Sequence, residues 1–240
     1  MNDHYVWLIW ASAFLIPWLV LYAALPGFRV QMLKASLWTT LLGLTEPLFV
    51  PSYWNPPSLF SLAQRTGFDL ESLILAFAFG GIGIVLYHLF AGTHLEPFPA
   101  RERRRSLHRH HWFAIFSPMV LFLLLVWLPW NTIYPGILAM AIGGFATRLC
   151  RPDLKVKIWL GGAAFLLLYI VFLLGLIWFA PGYIERVWNL KALSGVGLYH
   201  MPLEELFFGF TFGMYWSGVY EHFTWNATAA QAGSPSCHHA

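Results

Sequence analysis

Charge is what this sequence has least of: 14 Lys+Arg and 11 Asp+Glu make up only 10% of its 240 residues. A soluble domain carries about 25% charged residues, so the chain lacks the polar surface that a water-facing globule needs. Cysteine is nearly missing as well. Cys150 and Cys237 alone exclude a disulfide framework and a four-cysteine metal cage, and Cys150, closing an apolar run, reads as a small packing residue. There is no Gly-x-Gly-x-x-Gly fingerprint for a dinucleotide. The last apolar stretch, 198–219, contains no lysine, which excludes a retinal-type Schiff base in that helix.

What fills the chain instead is apolar and aromatic: 58% hydrophobic and 18% aromatic residues, with a mean hydropathy of +0.60. A membrane-crossing helix uses about 20 residues, so there is material for roughly seven. The runs are long and continuous rather than alternating over about ten residues, which argues against a β-barrel. We expect an all-α membrane protein with spans near 5–24, 30–50, 68–90, 112–130, 132–149, 156–180 and 198–219. The first stretch, Tyr5 to Ala24, has no basic lead-in and reads as a span rather than a cleaved leader.

The few charges are sorted by side. Arg29, Lys34, Arg101, Arg103, Arg104, Arg105, Arg109, Arg148, Arg151, Lys155 and Lys157, which are 11 of the 14 basic residues, adjoin the connections after the first, third and fifth spans. Cytoplasmic loops collect Lys and Arg, so these connections and the C-terminus are expected inside and the N-terminus outside. The cluster at 101–105 with His108, His110 and His111 therefore reads as a topology and lipid-headgroup element, not a nucleic-acid or metal site. The histidines have no evident partner ligands elsewhere in the sequence. Thr224 to Ala240, with Cys237, His238 and His239, reads as a disordered tail.

Two stretches repeat. Leu70-Glu71-Ser72-Leu73-Ile74-Leu75-Ala76-Phe77-Ala78-Phe79-Gly80 and Leu203-Glu204-Glu205-Leu206-Phe207-Phe208-Gly209-Phe210-Thr211-Phe212-Gly213 agree at six of eleven positions, where chance gives about one. Upstream, Trp54-Asn55 matches Trp188-Asn189, Pro51-x-Tyr53 matches Pro181-x-Tyr183, and Pro26-x-x-Arg29-Val30 matches Pro152-x-x-Lys155-Val156. The expected organisation is a three-helix module at 1–90, a basic loop and linker helix at 91–130, a second module at 131–223 and the tail at 224–240. An odd number of helices per module plus one linker makes the repeats parallel, with both motif regions on the outer face.

Carboxylates within membrane segments cost roughly 2.5–3.5 kcal/mol each on insertion scales and are functional candidates by default. Glu46, Asp69, Glu71, Glu204 and Glu205, 5 of the 11 acids, lie in or at the outer ends of spans. Asp69 reads best as a helix cap. Glu204 and Glu205 follow Pro202 in a first helical turn, with side chains diverging by about 100°. A glutamic acid against dry aromatic faces is a plausible general acid, and those faces can stabilise a carbocation. Tyr53, Trp54, Tyr183 and Trp188 also sit where interfacial aromatic belts occur. His200 is a candidate proton relay, and Tyr220-Glu221-His222 an anchor or an inter-helix polar contact.

Pro202-Leu203-Glu204-Glu205-Leu206-Phe207-Phe208, with the Pro-x-Tyr and Trp-Asn loop before it, resembles the lycopene cyclase domain of the small membrane-integral carotenoid cyclases. The duplication resembles their fused tandem form. The resemblance implies redox-neutral closure of a linear ψ-end to an ionone ring: an acid protonates the terminal double bond, the internal double bond attacks the cation, and a base removes a ring proton. It implies no cofactor and no metal. Carried over by position, the family's two acids are Glu204 and Glu205, and Glu71 matches one of them in the first repeat; with Glu46 assisting from its own span, these four are the catalytic candidates. The substrate-contacting candidates are Tyr53, Trp54, Asn55, Trp188, Asn189, Phe207, Phe208 and Phe212. The first repeat departs from the pattern at Asp69-Leu70-Glu71-Ser72, losing the proline and the second glutamate, so one composite site is expected rather than two. The expected partners are membrane lipid and a carotenoid or polyprenoid substrate, with no nucleic acid and with self-association left open. The alternative is a non-catalytic carotenoid- or lipid-binding module or partner subunit, with the acids as caps.

Overall fold

Proline, glycine and capping residues divide the apolar sequence into helices. The computed structural model describes residues 3–230, so Cys237, His238 and His239 lie outside the described residues. The architecture is carried by α1 (Val6–Ala13), α2 (Leu15–Ala24), α3 (Arg29–Thr40), α4 (Leu70–Ala91), α5 (His111–Leu125), α6 (Ile133–Cys150), α7 (Lys155–Phe179) and α8 (Leu203–Thr224). Four segments, Val6–Ala24, Leu70–Ala91, Ile133–Cys150 and Pro152–Phe179, are long and apolar enough to cross a membrane.

The remaining expected spans differ from their sequence outline. The stretch 30–50 is α-helical only to Thr40 and continues as a tighter 3₁₀ segment, Leu41–Leu48, which contains Pro47; proline removes a ladder donor and crowds the preceding turn. The stretch 112–130 ends as a helix at Leu125, and 198–219 moves to Leu203–Thr224 because a short turn pairs 197–198 with 201–202 ahead of it. The first span breaks at Phe14, where the ring of Pro17 opposes the carbonyl of Ala13 four residues earlier.

α4 starts where the Asp69 side chain accepts the Ser72 backbone N–H at 2.5 Å, the cap expected for it, and stops at Gly92 with φ +55°. α8 starts after Pro202 and stops at Trp225 with φ +56°. Both helices have 22 residues and begin at the matched residues Leu70 and Leu203 of the repeated stretch. The strands that follow them, β1 (Thr93–Pro97) and β2 (Asn226–Ala230), pair antiparallel with Leu95 opposite Thr228. Residues 226–230 thus correct the expectation of disorder from Thr224 onward. Their backbone groups are paired with β1, and Arg151 donates to the Asn226 carbonyl at 2.6 Å.

α4 packs against α3 and α8 packs against α7, with α4 and α8 in contact across the centre. Close approach is set by Gly80 and Gly213. A Cβ at Gly80 would lie 2.8 Å from the Ala35 carbonyl, and one at Gly213 2.7 Å from the Gly161 carbonyl. The core between the helices is largely aromatic, with Phe14, Phe79, Phe165, Phe172 and Phe212 buried. At one end it closes on a polar group: Glu221 pairs with Lys157 and with His88 at 3.0 Å. Two residues expected to serve as loop charges are therefore interior, since Lys157 is buried in this group and Arg151 is held between both carboxylate oxygens of Asp153 and the Glu221 carbonyl. Of the two readings open for Glu221, an anchor or an inter-helix contact, it makes the second.

Candidate active site

At the opposite end of α4 and α8 the helices and the 3₁₀ segment surround a cavity of about 220 Å³. Its wall includes Glu46, Tyr53, Trp54, Phe79, Tyr169, Trp188, Glu205, Phe208 and Phe212. Two of the four expected carboxylates, Glu46 and Glu205, are on this wall and two are not.

Glu205 is 3% exposed. Its Oε1 accepts from the Tyr53 hydroxyl and from Trp188 Nε1 at 2.6 Å, and its Oε2 accepts from the Tyr169 hydroxyl. All three partners are neutral donors. No ion pair among the described residues involves Glu205 or Glu46. Burial, and then the adjacent Glu205 carboxyl, holds the loop residue Tyr53 well above the ordinary phenol range, so it remains a donor. The second acid, Glu46, is buried and its Oε1 has no hydrogen-bond partner. A carboxyl that has reached the interior without a counter-ion is an expensive feature to retain for packing alone.

The other two glutamates hold loops. Glu71 Oε1 accepts the Leu59 backbone N–H at 2.7 Å, and Glu204 Oε1 accepts the Ser194 backbone N–H at 2.7 Å and the Tyr134 hydroxyl at 2.8 Å. These residues match one another in the repeated stretch, and each ties the loop before its helix to that helix. The position after Glu71 is Ser72, which lines the same cavity as Glu205. The departure from the repeat noted in the sequence is therefore the point at which the two halves differ chemically. Consecutive residues on a helix point about 100° apart, which is why Glu204 and Glu205 divide between loop and cavity.

The aromatic loop residues meet between the halves. Trp54 and Trp188 form an isolated antiparallel bridge with ring centroids 5.3 Å apart. Asn55 N–H donates to the Val187 carbonyl and Asn189 N–H to the Tyr53 carbonyl, both at 2.9 Å. Tyr53, Trp54, Tyr183 and Trp188 are buried, so they are interior groups rather than a belt at the membrane surface. Asn55 and Asn189 are exposed and off the cavity wall; the Asn189 amide donates to the Ser52 carbonyl at 3.0 Å. Phe207 is also off the wall and 51% exposed. His200 pairs with Glu185 at 2.6 Å on the surface and does not reach the cavity.

Sequence reasoning missed Tyr169, which sits inside the apolar run of α7, and Phe79, whose ring lies 5.7 Å from Tyr169 and 5.4 Å from Phe212. Phe79 was legible in principle, because it matches Phe212 in the repeat. Tyr169 had only its hydroxyl as a signal, the polar end of a side chain in an otherwise hydrocarbon segment. Away from the cavity, the side chains of His108, His111 and Cys150 converge at buried positions, although the sequence showed no partner for the histidines.

Residues 131–223 match the family model described as lycopene cyclase. The matched segment contributes Tyr169, Trp188, Glu205, Phe208 and Phe212 to the cavity, while Glu46, Tyr53, Trp54 and Phe79 come from the preceding part of the chain. Comparisons with curated proteins and with solved structures give no match.

Proposed function

We propose that the chain is an integral-membrane carotenoid cyclase that closes a linear ψ-end to an ionone ring by acid/base carbocation chemistry. The observation that carries this reading is Glu205, a buried carboxyl without a cation, held by three neutral donors on an aromatic cavity wall. Glu205 delivers a proton to the terminal double bond, and the internal double bond closes on the resulting tertiary cation. Hydrogen bonds from Tyr53, Tyr169 and Trp188 strengthen as the carboxylate forms. The faces of Phe79, Phe208 and Phe212 lie against the cationic carbon skeleton, each cation–π contact contributing about 0.5–2 kcal/mol. Glu46 takes the proton that the ring loses. One proton moves from Glu205 to Glu46 per ring and no electrons are exchanged, and proton return between the two carboxyls resets the site.

The reading rests on two parallel three-helix modules joined by α5, in a seven-span chain with the C-terminus cytoplasmic. The matched ends of α4 and α8, the β1 to β2 pairing and the Trp54 to Trp188 bridge support the modules. Since Ser72 stands where the second module has Glu205, there is one reacting centre, and two-ringed products require the substrate to leave and re-enter by its other end. Membrane lipid and a carotenoid or polyprenoid are the partners. The test is expression of this chain alone in a lycopene-accumulating host, followed by pigment chromatography. Ring-bearing products are expected, with a one-ringed species preceding any two-ringed one; unchanged lycopene would instead fit a binding module.

A further inference from the structure

The cluster of His108, His111 and Cys150 lies apart from the cavity. His108 ends a 3₁₀ turn, Ser106–His108, in the basic loop; His111 is the first residue of α5 and Cys150 the last of α6. All three are buried, and their ligand-type atoms lie within 4.8 Å of one another. Cys150 Sγ is 3.5 Å from His108 Nδ1 and 3.5 Å from His111 Nδ1. For a tetrahedral zinc with metal–sulfur and metal–nitrogen distances of about 2.3 and 2.05 Å, the sulfur-to-nitrogen edge is about 3.5 Å. Two edges of the cluster thus have the length of the sulfur-to-nitrogen edge in a zinc ligand shell.

Two further observations point the same way. The hydrogen bonds made by these three side chains among the described residues are to one another, and His111 Nε2 is buried with no partner. The imidazole of His222 lies 4.6 Å from that of His111, centroid to centroid, and its Nε2 is also buried and unpartnered. The neighbouring cation, Arg151, does not oppose a metal with a free charge, because Asp153 engages its guanidinium through two hydrogen bonds of 2.8 and 2.7 Å. His111 is further fixed by stacking on Trp225 at 3.8 Å, so its ring is held in place.

We propose that His108, His111 and Cys150 bind a zinc-type divalent ion that ties the basic loop to the ends of α5 and α6. One thiolate and two imidazoles suit a borderline ion such as zinc over magnesium or calcium, which prefer oxygen. Three protein ligands leave a fourth position for water or for His222.

The test uses the full chain purified in detergent, stripped with chelator and titrated with cobalt(II), and zinc content measured on the protein as isolated. The expected result is a thiolate-to-cobalt charge-transfer band that saturates at one ion per chain. Cys150→Ser should remove the band and lower affinity at least tenfold, and His108→Gln, in the loop, should lower affinity at least tenfold while retaining the sulfur band. A variant with Cys237→Ser, His238→Ala and His239→Ala should bind like the parent. Absence of the band in the parent chain, its persistence in Cys150→Ser, or its loss in the tail variant would each overturn the proposal. These readouts are independent of cyclase activity.

Discussion

Replacing Glu205 by glutamine preserves side-chain size and removes its acidity, which makes it the sharpest test of the cavity's chemistry. The amide oxygen of Glu205→Gln can still accept from Tyr53 and Trp188, and the Tyr169 hydroxyl can accept from the amide N–H in place of donating to Oε2. Packing is therefore maintained and the loss falls on proton transfer. General acid catalysis contributes about 10²–10⁴-fold, or roughly 2.7–5.4 kcal/mol of barrier, so ring formation should fall by that factor while the protein still inserts. Glu204→Gln is the matched control one residue away. Its oxygen continues to accept from Ser194 and Tyr134, and exchanging charge-assisted for neutral hydrogen bonds costs about 1 kcal/mol each. That loss falls on stability, and activity should change less than about tenfold. The assay is pigment chromatography of a lycopene-accumulating host, normalised to membrane-inserted protein. Equal losses in the two variants, or normal ring formation in Glu205→Gln, would refute the division of roles.

Tyr169→Phe removes one of the three donors to Glu205; at about 1.5–3 kcal/mol for a hydrogen bond to a charged group, turnover should fall roughly 10- to 150-fold, read as initial rate in isolated membranes. Gly80→Val and Gly213→Val each place side-chain atoms against a neighbouring helix backbone, and should cost about 1–3 kcal/mol, seen as a lower thermal midpoint in detergent. Lys157→Met leaves Glu221 without its lysine partner in the interior and should destabilise by about 3–5 kcal/mol; the same assay should show much of that recovered on adding Glu221→Gln.

The repeated stretch identified α4 and α8 as counterparts, and the ends of α4 fell close to the expected limits because Asp69 and Gly92 are local signals for starting and stopping a helix. The segment 30–50 was less legible. Its hydropathy suits a span, but Pro47 and the packing of Gly43 against Ser72 and Leu73 tighten it into a 3₁₀ segment, and that places Glu46 on the cavity. Residues 226–230 were illegible for a related reason: their pairing partner, β1, lies more than a hundred residues earlier in the chain.

The sequence by itself determined that the chain is an apolar helical protein, that its two halves share a motif, and that a few acids in aromatic surroundings are its chemical resource. Composition and helical spacing are local properties, and local order is enough to read them. Only the tertiary structure decided which acids act together. Glu71 and Glu204 look alike in the repeat and both hold loops, whereas Glu205 and Glu46, far apart in the chain and in different elements, share a cavity with Tyr53, Tyr169 and Trp188. The same holds for His108 and His111, whose partner Cys150 is supplied by the end of another helix. The side-chain direction of one residue relative to its neighbour is fixed by the helix, but what it meets is fixed by helices arriving from elsewhere in the chain.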